Sequence, residues 1–193
     1  MTNILITGSK GQLGTALQHS ADNYPNYKCF FADKSTLDIT TPDAVEAFIT
    51  TNTITVIINC AAYTNVDKAE DEEALATKIN AIAVGNLARI SKKHNVKLIH
   101  ISTDYVFDGT SEKPYLETDT TNPQNKYGFT KLNGETALQE INPKNAIIIR
   151  TSWLYSLNGK NFVNTMLRLF NSNKTVKVVS DQIGSPTNAT DLA

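Results

Sequence analysis

Three side chains in the middle of the chain have the types and spacing needed to move a proton on or off an oxygen atom. Tyr127 and Lys131 stand four residues apart, so on a helix they would share one face, and Thr103 directly follows an apolar run. A free phenol has a pKa of about 10, and a nearby ammonium favours the phenolate and lowers that pKa. A hydroxyl, a phenol and an ammonium that converge would suit an oxidoreductase, because an oxygen then gains or loses a proton while a hydride moves.

Two predicted elements would bring these side chains together. The apolar run Lys97–Ser102 predicts a strand, which would deliver Thr103 at its carboxyl end. A helix from about Tyr127 to Ile141 would carry the phenol and the ammonium. Lys131 would then hold ribose hydroxyls as well, and Thr103 would hydrogen-bond the substrate oxygen.

The Tyr-x-x-x-Lys pattern is a poor signal by itself, because the chain contains it twice. Tyr24 and Lys28 also match the pattern, but Pro25 biases the preceding tyrosine away from helical geometry. That pair would straddle a loop and a strand and would not share a face. Tyr127 and Lys131 are therefore the catalytic candidates.

A glycine-rich turn near the start of the chain predicts a phosphate-binding site. Residues 3–7 predict a short buried strand, the turn is Gly8-Ser9-Lys10-Gly11-Gln12-Leu13-Gly14, and apolar residues at helical spacing follow. Glycines let backbone N–H groups approach phosphates, and the positive end of the following helix points the same way. The strand before and the helix after make this weak pattern a dinucleotide fingerprint.

The second predicted strand, residues 28–32, ends in two residues of opposite charge. An acidic group such as Asp33, about 20 residues past the glycines, binds ribose hydroxyls and favours NADH. A cation such as Lys34 can instead accommodate the 2′-phosphate of NADPH. The sequence therefore leaves NADPH and NADH both open. Asp38, in the next loop, would lie at the edge of the adenine, with a solvated loop aspartate as an equal alternative.

The third predicted strand, residues 55–59, is continuously apolar, as expected for a parallel strand covered on both faces. Small residues follow it from Cys60 to Ala62, which permits close approach of a ligand at the carboxyl end of the sheet. A long amphipathic helix comes next. Asn80 is a polar exception on that helix, and it either supports the catalytic strand or faces solvent.

Length and charge limit the classes of protein that fit. The 193 residues can bury one sizeable core, which predicts one domain with at most a fragment of a second. The net charge of −1 gives no electrostatic signal for nucleic acid or an anionic membrane. The absence of a membrane span or a leader before the first strand predicts a cytoplasmic protein. Cys29 and Cys60 are expected to be ordinary buried thiols.

Strands and helices alternate along the whole chain. Beyond Thr103 the pattern predicts a strand at 146–150, a helix at 162–170 and a strand at 175–179. Parallel neighbours need crossover helices, so this spacing predicts an α/β fold with a Rossmann-type, doubly wound parallel sheet.

These residues resemble a known family, the extended short-chain dehydrogenase/reductases. The likeness covers essentially the whole chain. It lies in Thr7–Gly14, in Asn59–Glu70, in Ser102–Gly109, in Tyr127-Gly128-x-x-Lys131-x-x-Gly134-Glu135 and in Arg150–Tyr155.

The resemblance implies NAD(P)H-dependent reduction of the C4 ketone of a dTDP-sugar, dTDP-4-dehydro-L-rhamnose. Tyr127 would donate the proton, with Lys131 and Thr103 in support, and the product would feed bacterial surface polysaccharide. Thr103, Asp104 and Trp153 would bind the substrate. The cofactor-binding residues implied are Gly8, Gly11, Gln12, Leu13, Gly14, Asp33, Asp38, Ala61, Ala62, Tyr63, Thr64, Tyr127 and Lys131.

The chain departs from the family in two respects. Family members continue for roughly a hundred residues more, so we expect residues 1–150 to form the NAD(P)-binding domain and 151–193 to begin a truncated substrate-binding region. Some relatives also carry a glutamate linked to a metal-bridged dimer in the helix after the glycines. Thr15 and Ala16 stand there instead, which predicts no metal; a homodimer remains open.

Two alternatives share the fold. A nucleotide-sugar dehydratase or epimerase is the first; dehydratases resembling this family carry an Asp-Glu acid pair after the catalytic threonine, whereas here Tyr105 follows Asp104, so reduction is favoured over elimination. A non-catalytic, dinucleotide-binding regulatory subunit is the second alternative. The intact Thr103, Tyr127 and Lys131 argue against it, although a fold and a cofactor site do not fix function.

Overall fold

The computed structural model describes residues 2–142, 144–172 and 175–193. Its centre is a five-stranded sheet in the order β2-β1-β3-β4-β5, and every pair of neighbours runs parallel. The predicted α/β fold with a parallel sheet is confirmed. The strands are β1 (Thr2–Thr7), β2 (Tyr27–Ala32), β3 (Val56–Asn59), β4 (Lys97–Thr103) and β5 (Ala146–Thr151).

Helices connect these strands, as parallel pairing requires. A π-helical segment, Lys78–Ile82, joins α3 to α4, so the predicted long amphipathic helix forms with one irregular turn. Short 3₁₀ turns occur at Asp67–Ala69 and Asp104–Val106. The helices are α1 (Gln12–Ala21), α2 (Pro42–Thr51), α3 (Glu73–Thr77), α4 (Ala83–Lys93), α5 (Lys126–Ile141), α6 (Phe162–Asn171) and α7 (Ala189–Leu192).

The strand order reverses at β1, and this reversal places a crevice beside the glycine turn. From β1 the chain moves outward to β2 and then crosses back to β3, so right-handed crossovers put α1 and α2 on opposite faces of the sheet. In agreement, α1 packs against α7, whereas α2, α4 and α5 pack together. Thr7 lies level with Asn59 and Thr103 with Thr151, so the carboxyl ends of the strands meet at one edge. That edge is where open α/β sheets bind ligands.

The core lies between the sheet and the α2, α4 and α5 layer. Apolar side chains from the central strands fill it, and burial of this surface is the main stabilising contribution. Its fully buried members include Leu5, Val45, Ile49, Ile57, Val84, Leu87, Leu98 and Leu138.

The region after β5 differs from the prediction in one respect. The expected strand at 175–179 is wrong: these residues are irregular, and Val178 and Val179 are largely exposed. A strand needs a neighbour to satisfy its backbone, and the parallel sheet ends at β5. The pairing found here is instead a small sheet of β6 (Leu154–Tyr155) and β7 (Thr187–Asn188).

Among the described residues, no helix has the length and apolar character that a bilayer crossing requires.

Candidate active site

A cleft of about 990 Å³ opens at the carboxyl edge of the sheet, large enough for a sizeable ligand. It runs from the glycine turn to the start of α5, so residues far apart in sequence share one wall. The predicted site residues that line it are Gly8, Gly11, Gln12, Leu13, Gly14, Asp33, Asp38, Ala61, Ala62, Thr64, Thr103, Asp104, Tyr127, Lys131 and Trp153. Tyr63 is the predicted site residue that is not in this lining.

The glycine turn is a cradle that side chains would fill. Gly8 has a φ of +65°, and a Cβ there would lie 2.7 Å from the backbone nitrogen of Ala61. A Cβ on Gly14 would lie 2.5 Å from the carbonyl oxygen of Gly8. Gly11 caps α1 without a side-chain acceptor, so the first amides of that helix remain available to an anion. The turn therefore fits the phosphates of a dinucleotide.

Asp33 and Asp38 lie along the same wall. Asp33 pairs with Lys10 and accepts hydrogen bonds from the backbone and hydroxyl of Ser35 at 2.7 and 2.5 Å. The Lys10 ammonium, followed by these hydrogen bonds, holds the pKa of Asp33 far below its usual range. Asp38 accepts a 2.9 Å bond from the Thr40 backbone, which lowers its pKa. Both carboxylates are thus charged near neutral pH.

The side chain of Tyr63 has a structural role. Its hydroxyl donates to Glu72 at 2.7 Å, and burial with this contact raises its pKa to about 12. Asn80 clamps its backbone, because the amide oxygen accepts from the Tyr63 N–H at 2.9 Å and the amide nitrogen donates to its carbonyl at 3.1 Å. The same nitrogen donates to Thr130 at 3.1 Å, so Asn80 is a buried brace between the cleft wall and α5.

Tyr127 faces Thr103 at the far end of the cleft. Burial raises the pKa of the Tyr127 phenol to about 12, and hydrogen bonding with the Thr103 side chain acts in the opposite direction. The Thr103 hydroxyl also donates to Asp104 at 3.1 Å and accepts from the Tyr105 backbone at 3.2 Å. Asn125 caps α5 by accepting from the Gly128 N–H at 2.7 Å.

Close packing at Gly128 orients the side chain of Tyr127. A Cβ at that glycine would lie 2.2 Å from the carbonyl oxygen of Tyr105, so only a glycine lets α5 begin against the turn that follows β4. The Tyr105 ring meets the Tyr127 ring edge to face, with centroids 5.6 Å apart. The phenol is therefore fixed toward the end of β4.

Lys131 lies deeper than the sequence suggests. It is 2% exposed, and its Nζ donates to the carbonyl of Ile101 at 2.7 Å and lies 3.4 Å from Nε2 of His100. Burial lowers the pKa of Lys131 to about 8, with Glu135 and Cys60 opposing the shift. The expectation that this ammonium lowers the phenol pKa is wrong here, because burial dominates at Tyr127.

Asp104 and Trp153 border the space beyond Thr103. Burial raises the pKa of Asp104. Trp153 adopts a φ of +47°, an uncommon conformation for a bulky residue, and its side chain is 46% exposed. Its indole lies 2.6 to 2.9 Å from where a Cβ on Gly184 would sit, so a larger residue there would displace the ring.

Several residues at the site escaped sequence reasoning. Lys10 and Tyr105 line the cleft, and Glu135 behind it forms a buried pair with Arg150. His100 and Asn59 are fully buried beside Lys131. The signal available for these last two was a polar residue inside or ending an otherwise apolar strand run.

The described residues contain no group of three or more His, Cys, Asp or Glu side chains that could hold a metal ion. The expectation of a metal-free site stays a prediction.

Together, the parallel sheet with its strand reversal, the glycine cradle and the Thr103, Tyr127 and Lys131 group define the class, a Rossmann-type fold of the extended short-chain dehydrogenase/reductase kind. The family model described as "RmlD substrate binding domain" matches residues 1–193, and the chain belongs to this family.

Curated relatives share the name dTDP-4-dehydrorhamnose reductase. The one from Aggregatibacter actinomycetemcomitans is 45% identical over 193 residues, which is 100% of this chain and 65% of the relative. The one from Salmonella typhimurium is 44% identical, over 99% of this chain and 64% of the relative. The chain thus spans slightly less than two thirds of the length of these relatives.

Solved structures that are similar to this chain carry the same name as the curated relatives. The dTDP-4-dehydrorhamnose reductase of Bacillus anthracis in complex with NADP is 44% identical, with a TM-score of 0.95 over 100% of this chain and 68% of that one. The Clostridium acetobutylicum structure of the same name is 46% identical, with a TM-score of 0.94 over 99% of this chain and 67% of that one. A dTDP-glucose 4,6-dehydratase at 21% identity shares the fold alone.

Proposed function

We propose that the protein reduces the C4 ketone of dTDP-4-dehydro-L-rhamnose to dTDP-L-rhamnose with NADPH or NADH. The observation that carries the proposal is the approach of the Tyr127 phenol to the Thr103 hydroxyl, at the end of β4, two strands away from the glycine cradle that follows β1. A dinucleotide seated by its phosphates on that cradle would extend along the cleft toward this pair. The names of the relatives support the substrate.

The residues of the chain then have separate tasks. Reduced nicotinamide, when bound, supplies the hydride. Thr103 hydrogen-bonds the ketone oxygen, and Tyr127 donates its proton to that oxygen, which prevents an alkoxide from accumulating. The high pKa of the phenol keeps Tyr127 protonated at neutral pH, as an acid must be. Lys131 holds ribose hydroxyls, while Asp104 and Trp153 touch the sugar.

Either cofactor fits the charges beside the glycine turn. Gly8, Gly11, Gln12, Leu13 and Gly14 would hold the pyrophosphate, and Asp33 would bind ribose hydroxyls as in NADH sites. Lys10 and Lys34 line the same wall and supply positive charge for a 2′-phosphate. NADP in the Bacillus anthracis relative supports the phosphorylated form. The adenosine half and the riboses of the cofactor would contact Asp38, Ala61, Ala62 and Thr64. The backbone of Tyr63 would lie behind these residues.

The direct test follows NADPH and NADH oxidation at 340 nm with dTDP-4-dehydro-L-rhamnose, using this chain beside a longer form carrying the remaining third of its relatives. Turnover by the longer form, with dTDP-L-rhamnose as the product, supports the proposal. Dinucleotide binding without turnover by both forms would instead favour the regulatory-subunit alternative.

A second substrate has one observation in its favour. A relative from Streptomyces niveus, 41% identical, carries the name dTDP-4-keto-6-deoxy-D-glucose reductase. The same assay with that sugar distinguishes the two, because the favoured substrate will show the higher kcat/KM.

The proposal also covers the cellular location, the partners and the domain division of the protein. We infer that it works in the cytoplasm and acts on a dTDP-sugar, and a homodimer stays a prediction. We also propose the division into a cofactor domain at 1–150 and the start of a substrate region at 151–193. It is supported by the end of the parallel sheet at Thr151 and by the separate β6–β7 pair.

A further inference from the structure

A buried line of polar groups leads from the cleft across three strands of the sheet. Nζ of Lys131 lies 3.4 Å from Nε2 of His100, whose Nδ1 lies 2.9 Å from the amide nitrogen Nδ2 of Asn59. The hydroxyl of Thr7 donates to the amide oxygen of Asn59 at 2.6 Å. His100 and Asn59 are 0% exposed, so solvent does not supply alternative partners. The cleft lysine is therefore connected to β1 through side chains alone.

We propose that His100 is a positioning residue for Lys131, and that its imidazole accepts a hydrogen bond at Nε2 from the buried ammonium. This contact would hold Lys131 charged and aimed at the cleft. The inference deepens the proposed function and rests on it, since Lys131 matters to the reaction through the cofactor ribose and Tyr127.

The donor count of Lys131 supports this role. An ammonium carries three N–H donors, and a buried donor without an acceptor is costly. Ile101 accepts one donor at 2.7 Å, and His100 is the second acceptor within reach. The third donor is left for the cleft, which Lys131 also lines. Removing the imidazole would leave a buried N–H unsatisfied and would favour the neutral amine.

The other titratable groups near Lys131 are either neutral or already paired, so His100 is the neighbour that determines whether Lys131 is charged. Glu135, one turn along α5, favours the ammonium, but Arg150 engages its carboxylate at 2.7 Å. Cys60, across the cleft wall, has its pKa raised to about 12 by burial and is therefore neutral. Burial keeps the pKa of His100 well below 6.5, so the imidazole is neutral as well and able to accept.

The role requires one tautomer of His100. An imidazole that accepts at Nε2 carries its proton on Nδ1 and donates to the amide oxygen of Asn59, whose nitrogen then donates to Thr7. In the structure the amide has the opposite orientation, with Thr7 donating to Oδ1 of Asn59 and Nδ2 of Asn59 facing Nδ1 of His100. That orientation puts the imidazole proton on Nε2 and suits only a neutral Lys131 amine, so the role requires the Asn59 amide to be rotated by half a turn. The two orientations occupy the same space, so the tautomer reports the charge of the lysine.

The first experiment is NMR on wild-type protein, which needs no ligand and no variant. Imidazole ¹⁵N shifts identify the tautomer of His100 at pH 6.5, where Lys131 is charged. A proton on Nδ1 is expected. A proton on Nε2 at that pH would overturn the proposal, because Nε2 could not then accept.

The second experiment follows the titration of Lys131 through its ¹³Cε shift in wild type, His100→Gln and His100→Leu. We expect the midpoint in His100→Leu to fall by about one pH unit, as loss of a hydrogen bond to a charged group predicts. In His100→Gln the amide oxygen can replace Nε2, and the midpoint should stay near the wild-type value. Leu98→Ala, on the same strand, controls for loosened packing and should also titrate like wild type. Unchanged midpoints in all three variants would show that His100 is only a core residue.

NADPH binding against pH separates this inference from the proposed function. If both hold, the fall of affinity at alkaline pH moves about one unit lower in His100→Leu and returns in His100→Gln. If the titration of Lys131 shifts but the protein binds no dinucleotide, the positioning role stands and the proposed function fails. If dinucleotide binds with an unshifted profile, the positioning role fails.

Discussion

Lys10 of the glycine turn and Asp33 at the end of β2 form an ion pair on the wall of the cleft. The pair sits where an adenosine ribose would bind in a fold of this type, so it places both charges beside the group that distinguishes NADPH from NADH. The carboxylate suits a ribose with free hydroxyls, and the ammonium suits a 2′-phosphate.

Replacing Asp33 with Asn should therefore change cofactor preference. The variant loses a carboxylate that repels the 2′-phosphate and frees Lys10 to bind it, so the NADPH-to-NADH affinity ratio should rise about tenfold. Fluorescence titration with each dinucleotide measures the ratio. Asp22→Asn, exposed at the end of α1, is the matched control and should leave the ratio unchanged; equal ratios in both variants would remove Asp33 from the ribose site.

Two glycines with positive φ separate a steric requirement from a conformational one. Gly8→Ala would press a Cβ against the Ala61 backbone, whereas Gly109, at φ +75°, has nothing within 4 Å of that position. Gly109→Ala should cost about 1 to 2 kcal/mol of unfolding free energy and leave NADPH affinity intact. Gly8→Ala should cost more and abolish NADPH binding. Urea unfolding and binding titrations test both, and equal behaviour of the two variants would contradict the cradle.

The Asn80 brace predicts a stability effect. Asn80→Ala leaves the Tyr63 backbone N–H and carbonyl without their buried partner and removes the hydrogen bond that Thr130 accepts, so the unfolding free energy should fall by about 2 to 4 kcal/mol. Asn86→Ala, one or two turns along, loses only an exposed contact with Arg89 and should change it by less than about 0.5 kcal/mol. Similar values for the two would mean that the brace is not formed.

Burial of Lys131 predicts that removing it stabilises the fold. Its pKa is lowered from 10.5 to about 8, so the charged form is disfavoured in the folded state, and Lys131→Met should gain about 3 kcal/mol at pH 7. Between pH 8 and 10.5 the folded lysine is already neutral while the unfolded one is still charged. The stability of wild type therefore rises with pH there, and the advantage of the variant should shrink. Urea unfolding from pH 7 to 10.5 measures this.

Lys92→Met, at an exposed site near the end of α4, provides the control for that experiment and should show no such pH dependence. A Lys131→Met variant that is less stable than wild type at pH 7 would mean that the buried contacts of the ammonium outweigh its desolvation.

Local patterns in the sequence predicted the scaffold well. Apolar runs and the glycine turn act within a few residues, so β1 to β5, α5 and α6 lie within one or two residues of expectation. The convergence of Thr103 with Tyr127 was also predictable, because parallel strands end at one edge.

What escaped prediction depends on distant partners. The line from Lys131 to Thr7 crosses three strands, and no local pattern records which polar residues meet inside a sheet. Tyr63 lies in a segment of the right type, but its hydroxyl bonds to Glu72 and its backbone to Asn80, and it is not among the residues that line the cleft. Residues 175–179 have strand propensity yet no neighbour to pair with, so propensity alone misassigned them.

The central claim is that the Tyr127 phenol protonates the substrate ketone. The most direct measurement is steady-state NADPH oxidation with dTDP-4-dehydro-L-rhamnose by the longer form of the protein, comparing Tyr127→Phe with Tyr24→Phe, the tyrosine of the other Tyr-x-x-x-Lys match, which is 55% exposed. The account predicts that Tyr127→Phe lowers kcat by about 10²- to 10⁴-fold while NADPH affinity stays within a few-fold of wild type, and that Tyr24→Phe is unchanged. Wild-type turnover by Tyr127→Phe would contradict it.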